Sequence, residues 1–99
     1  MEWELRMYQA KPGRLNAFAD EWREHVVPLR RRFGFEILGA WTVPEQNQFV
    51  WIVGHDGPAG LDTAAEAYAE GRKALPVDPG RHLDVIDTRR MTGVPYPGL

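Results

Sequence analysis

The chain has 99 residues, of which 43% are aliphatic or aromatic and 26% charged, the balance of one folded domain rather than of a disordered segment. Its net charge is −2, and Glu21, Glu24 and Glu36 surround the short run Arg30, Arg31, Arg32, which argues against a nucleic-acid partner because such a footprint needs a basic surplus on one face. It contains no cysteine, so disulfides, thiolate metal sites and thiol nucleophiles are all excluded.

Residues 3–8 alternate Trp3, Leu5 and Met7 with Glu4, Arg6 and Tyr8, the period-2 pattern of a strand, which Lys11, Pro12 and Gly13 interrupt. From Arg14 the apolar positions Leu15, Phe18, Trp22, Val26, Leu29 and Phe33 are spaced by three or four, one stripe of a helix, and Gly34 stands where a glycine cap belongs. Pro28 removes a backbone donor inside that pattern and predicts a kink or a break near Val27. Residues 35–43 and 49–55 are β-rich and separated by Pro44, Glu45, Gln46, Asn47 and Gln48, so they should form an antiparallel hairpin. A second, alanine-rich helix is expected from Ala59 or Gly60 to about Lys73, and a last strand over 82–91 with Leu83, Val85 and Ile86. Residues 1–95 then form one domain and 96–99 a C-terminal tail.

This order, βαββαβ, is that of an α+β ferredoxin-like sandwich, with both helices on one face of a four-stranded sheet. The other face needs a cover. On the third strand Phe49, Trp51 and Val53 point one way and Val50 and Ile52 the other; on the second, Phe35, Ile37, Trp41 and Val43 are expected on one side with Leu38 and Ala40 opposite. A homodimer, each copy covering the other's sheet, meets that need most simply.

Certain residues are familiar. Glu4-Leu5-Arg6-Met7-Tyr8 followed by Lys11-Pro12-Gly13, then Trp22, Val27-Pro28 and Gly34-Phe35, resemble the opening of NIPSNAP domains. Gly39-Ala40-Trp41, Phe49-Val50-Trp51, Ala67-Tyr68, Arg72 and Asp78-Pro79 extend the resemblance over nearly the whole chain. The resemblance implies a dimeric α+β barrel, two sheets packed face to face with helices outside, and leaves the reaction open, since most members have no assigned activity. Haem degradation is a poor fit: the haem-degrading barrels this fold resembles use an asparagine on the first strand and a histidine on the second helix, and neither is present.

The chemistry available is limited. Glu4, Arg6 and Tyr8 share one side of the first strand and could anchor a carbonyl or carboxylate ligand; the plainer reading pairs Glu4 and Arg6 with Asp87 or Arg89 on a neighbouring strand. Of the three histidines, His55 is the best candidate for a general base because it ends a strand toward the second helix, although a hydrogen-bonded structural role is the commoner one for such a residue. His25 sits beside the helical stripe, and His82, near Asp78 and Asp84, is expected to cap the last strand. No two histidines have ligand spacing and there is no Gly-x-Gly-x-x-Gly turn, so neither a metal nor a nucleotide or flavin cofactor is expected. Trp3, Trp22, Trp41 and Trp51 are all placed on inward faces, mostly as core. Trp41 and Trp51, with Tyr68 and Arg72 of the second helix, could line a pocket that the surrounding alanines leave open.

Two functions stay in balance: a dimeric module that binds a small organic molecule, or a cofactor-independent oxygenase, isomerase or cyclase acting on an aromatic or enolisable metabolite. In the second, His55 is the base and Arg6 or Arg72 steadies an enolate oxygen. The opening Met1, Glu2, Trp3, Glu4 lacks the basic-then-apolar order of a secretory leader, and no apolar run approaches the roughly 20 residues of a bilayer span, so a cytoplasmic protein without a membrane partner is expected.

Overall fold

The alternation at the start of the chain forms the central strand β1 (Glu2–Ala10) in the computed structural model, which describes residues 1–98. Leu99, the last residue of the expected tail, lies outside the described residues. The apolar stripe that follows forms α1 (Leu15–Glu21), a π-helical turn (Trp22–Val26) and α2 (Val27–Arg32), running as one bent helix. The bend falls where Pro28 predicts it: the Val27 N–H reaches back to the Trp22 carbonyl, a five-residue step that inserts one residue into the helix ahead of the proline. Then come β2 (Glu36–Val43), β3 (Gln48–His55), α3 (Gly60–Arg72) and β4 (Leu83–Met91), with short 3-10 turns at Pro44–Gln46 and Pro79–His82.

The sheet order is β2-β3-β1-β4 and every neighbouring pair is antiparallel, which with both helices on one face is the ferredoxin-like topology. Register decides which side chains meet the helices. Arg6 lies opposite Trp51, Tyr8 opposite Phe49 and Glu4 opposite Val53, so Glu4, Arg6 and Tyr8 face the helices together with the buried Phe49, Trp51 and Val53. Leu15, Phe18, Val26 and Leu29 of the bent helix and Tyr68 of α3 close this core.

The outer face carries Leu5, Met7, Val50 and Ile52, half-buried by one another. Here one expectation is overturned. The β2–β3 register shifts between Ile37 and Gly39, and this bulge turns the rest of β2 over. Ala40 then pairs with Trp51 on the helix side, and Trp41 and Val43 go to the outer face with Val50. Trp41 is 53% exposed and folds its ring over Gly39, where a Cβ would lie 2.7 Å from it. Trp3 is likewise outside, across Gly54 of β3. Only Trp22 and Trp51 of the four indoles face inward.

Candidate functional site

The bent helix ends in a hydrogen-bonding pattern that fixes one side chain. Gly34 takes φ +84°, the Phe35 N–H returns to the Arg30 carbonyl at 3.0 Å, and the Gly34 N–H returns to that of Arg31 at 3.0 Å. This is a Schellman cap, in which the residue three places before the end of the helix packs against the second one beyond it. That pair is Arg30 and Phe35, and the guanidinium carbon of Arg30 lies 4.6 Å from the Phe35 ring centre. It also lies 3.8 Å from the ring centre of Tyr68 and 5.3 Å from that of Trp51. Arg30 is 5% exposed, a buried cation held among three aromatic faces.

Arg6 approaches the same indole from β1, its guanidinium carbon 5.8 Å from the Trp51 ring centre. Its Nε donates to the Tyr8 hydroxyl at 2.6 Å and its Nη1 to Glu4 Oε1 at 2.6 Å. The three polar residues of β1 thus pair among themselves. Asp87 and Arg89 pair with each other on the outer face, so the expected link from Glu4 or Arg6 to either does not form; β4 puts Thr88 opposite Arg6 and Arg90 opposite Glu4.

Between the sheet and the helices these residues border a cavity of about 60 Å³, whose wall includes Arg6, Tyr8, Trp22, Arg30, Trp51, Tyr68 and Arg72. One water needs on the order of 10–15 Å³ of such space, so the cavity admits a group of roughly four to six non-hydrogen atoms. Asp78, Pro79 and Gly80 form another wall, held by the Glu21 carboxylate, which accepts from both Nη atoms of Arg81 at 2.7 and 2.6 Å and lies 3.0 Å from Nε2 of the buried His82. His82 therefore ties this wall to α1 and does not cap β4. Ile86 of β4, on the helix side and 53% exposed, also borders the cavity.

The electrostatics are uneven. Burial works against the charge on Arg6, but the Tyr8 phenol and the Glu4 carboxylate outweigh it and hold that guanidinium above its ordinary pKa. Arg30 shifts the other way: burial first, then the charge of Arg6, push it below its ordinary value against the pull of Tyr68 and Tyr8. Burial raises the Tyr68 phenol, and Arg30 and Arg72 restrain the rise. Three buried donors have no acceptor among the described residues, Trp22 Nε1, Trp51 Nε1 and Arg30 Nε, and all three belong to residues bordering this cavity.

Of the residues singled out from sequence, Arg6, Tyr8, Trp51, Tyr68 and Arg72 come together here, with Glu4 attached through Arg6. Trp41 does not, since it lies on the outer face. His55 does not border the cavity either. It packs edge-on against Phe35 at 5.0 Å, its Nε2 lies 3.1 Å from the Phe33 carbonyl, and its Nδ1 accepts from the Gly57 N–H at 2.9 Å. Nε2 thus fastens the end of β3 to the end of α2, while Nδ1 holds the loop that follows β3. Arg30 was hidden in the sequence by its neighbours Arg31 and Arg32, which are exposed. Its signal was position: four residues after Val26 and eight after Trp22, it falls at the edge of the apolar stripe.

Solved structures with the same fold include a protein from Agrobacterium tumefaciens, 19% identical, covering 97% of this chain and 96% of that one with a TM-score of 0.79. A NIPSNAP family protein from the same organism is 12% identical over 96% and 94% of the two chains, with a TM-score of 0.81. A structure described as an antibiotic biosynthesis monooxygenase is 18% identical over 96% and 100%, with a TM-score of 0.67. No curated protein matches the chain. The model of one family, NIPSNAP, matches residues 3–91, and the chain belongs to that family.

Proposed function

We propose that the protein binds a small organic molecule in the cavity between its sheet and helices, and that it does so as a homodimer. The observation that supports binding is the composition of the cavity wall. Aromatic faces from Tyr8, Trp22, Trp51 and Tyr68 enclose a few fixed polar groups, the combination by which small-molecule sites combine affinity with orientation. The outer sheet face supports the dimer, because Trp41, Val43 and Val85 are exposed beside Leu5, Met7, Val50 and Ile52, and a second copy buries such a surface against its own equivalent. The cavity lies on the opposite side of the sheet, so each subunit keeps its own.

A second reading has one observation in its favour. The Arg6 guanidinium and the Tyr8 hydroxyl, 2.6 Å apart, place a cation beside a phenol, a pair able to steady an enolate oxygen formed from a carbonyl substrate. The monooxygenase name of one similar structure points the same way. In this reading Tyr8 and Arg6, rather than His55, act on the substrate.

Crystals soaked with a panel of small carbonyl compounds test the binding. Density beside Arg6, Tyr8, Trp51 and Tyr68 is expected; density only on the outer sheet, or none for any compound, contradicts it.

A further inference from the structure

Resting on that reading of the cavity as a binding site, we propose that its ligand is an anion, a small carboxylate seated on Arg30. Two guanidinium groups meet one indole on the inner side of the sheet, and the nearby carboxylates are engaged elsewhere: Glu4 pairs with Arg6 at 2.6 Å, Glu2 with Arg90, and Asp78 on the cavity border accepts from the Gly80 N–H at 3.1 Å. Among the described residues no carboxylate lies within ion-pairing distance of Arg30, and its Nε has no acceptor at all.

A buried cation in this state is short of a partner, and burying a charge is costly unless it is paired and hydrogen-bonded. Aromatic faces offset part of that cost, but a ring face accepts no N–H bond in the plane of the guanidinium. A carboxylate does, and the planar fork of arginine matches its two oxygens. The indole N–H groups of Trp22 and Trp51, two residues that border the cavity, also lack acceptors, so the residues around it leave three donors unmet. The cavity volume of about 60 Å³ suits a carboxylate with a short substituent.

The test compares propionate with propionamide, of the same shape but uncharged, by following the four indole N–H resonances of the ¹⁵N-labelled protein at constant ionic strength. Propionate should move the resonances of Trp22 and Trp51 and leave those of Trp3 and Trp41 in place, binding about tenfold or more tightly than propionamide, the margin of a charge-assisted hydrogen bond over a neutral one. Arg30→Met should abolish the preference for propionate, and Arg30→Lys, which keeps the charge without the fork, should retain a weakened one. Equal affinity for the two compounds overturns the anion while leaving a small-molecule site standing. Indoles of Trp22 and Trp51 that respond to neither compound overturn both. An undiminished propionate response in Arg30→Met removes Arg30 as the receptor; if that variant does not fold, the Arg30→Lys comparison decides.

Discussion

Replacing Arg30 by methionine should not destabilise the free protein, although the side chain is 5% exposed and packs against three aromatic rings. Truncating a buried residue of this size ordinarily costs several kcal/mol, and a salt-bridged arginine would cost about 3–5 kcal/mol on removal. Arg30 has no such bridge. What it loses is its contact with the faces of Tyr68, Phe35 and Trp51, at 3.8, 4.6 and 5.3 Å, each worth about 0.5–2 kcal/mol. What the variant gains is release from the desolvation of an unpaired ion, which is several kcal/mol, and from the repulsion of Arg6. Methionine is unbranched and flexible, fills much of the same space and keeps a favourable sulfur contact with the rings. Replacing buried ionic groups by apolar side chains of similar volume is typically neutral or stabilising by about 1–4 kcal/mol, the range expected for Arg30→Met, and for a domain of this size each 1 kcal/mol moves Tm by about 4–8 °C. Thermal unfolding by circular dichroism at fixed protein concentration, without added organic anions, measures it. A loss of more than about 2 kcal/mol with the native spectrum retained would refute the reasoning, because it would mean that the protein itself compensates the Arg30 charge.

Trp51→Ala removes an indole 1% exposed that packs on Tyr8 and Trp22 at 6.4 and 5.4 Å, and should cost about 3–5 kcal/mol in urea unfolding; an unchanged midpoint would mean that β3 is misplaced. Glu21→Gln should lower Tm at neutral pH and flatten its fall in acid. The Arg81 hydrogen bond holds the Glu21 carboxyl below the usual carboxylate range, helped by His82, so its stabilisation is present above that range and vanishes as pH drops through the depressed value; parallel Tm-versus-pH curves for the two proteins would contradict this. Sedimentation equilibrium at micromolar concentration should give twice the 11.3 kDa of one chain, and Trp41→Glu, on the outer face, should shift the protein toward monomer with its circular dichroism intact. A purely 11.3 kDa species in the unaltered protein would remove the dimer.

The architecture was legible because each element wrote its period into the sequence. The alternation around Leu5 and Met7, the stripe from Leu15 to Phe33 and the Pro44–Gln46 turn placed the strands and the bent helix within a residue or two. Trp41 was misplaced for a reason that alternation cannot reveal: one extra residue at the bulge near Leu38 inverts everything after it, and the one local cue is Gly39, a glycine inside a strand pattern. In the site, Arg6, Tyr8, Trp51 and Tyr68 were found because they alternate or recur with the core. Arg30 was not, since three consecutive arginines read as a solvated face, although helical phase puts the first of them at the edge of the apolar stripe and the Schellman cap at Gly34 and Phe35 packs it against a ring. His55 attracted attention because it ends a strand toward the second helix, yet such a position also suits a ring that bonds two backbone groups, and here it joins Phe33 to Gly57.

The measurement closest to the central claim is on Arg30 itself. Its Nε–H lacks an acceptor among the described residues, and its burial should slow exchange with solvent enough for the resonance to be followed. Titration with propionate should move that resonance downfield and protect it further from exchange, as a carboxylate oxygen takes up the bond. An Nε–H resonance that stays in place while propionate saturates the protein elsewhere would contradict the account.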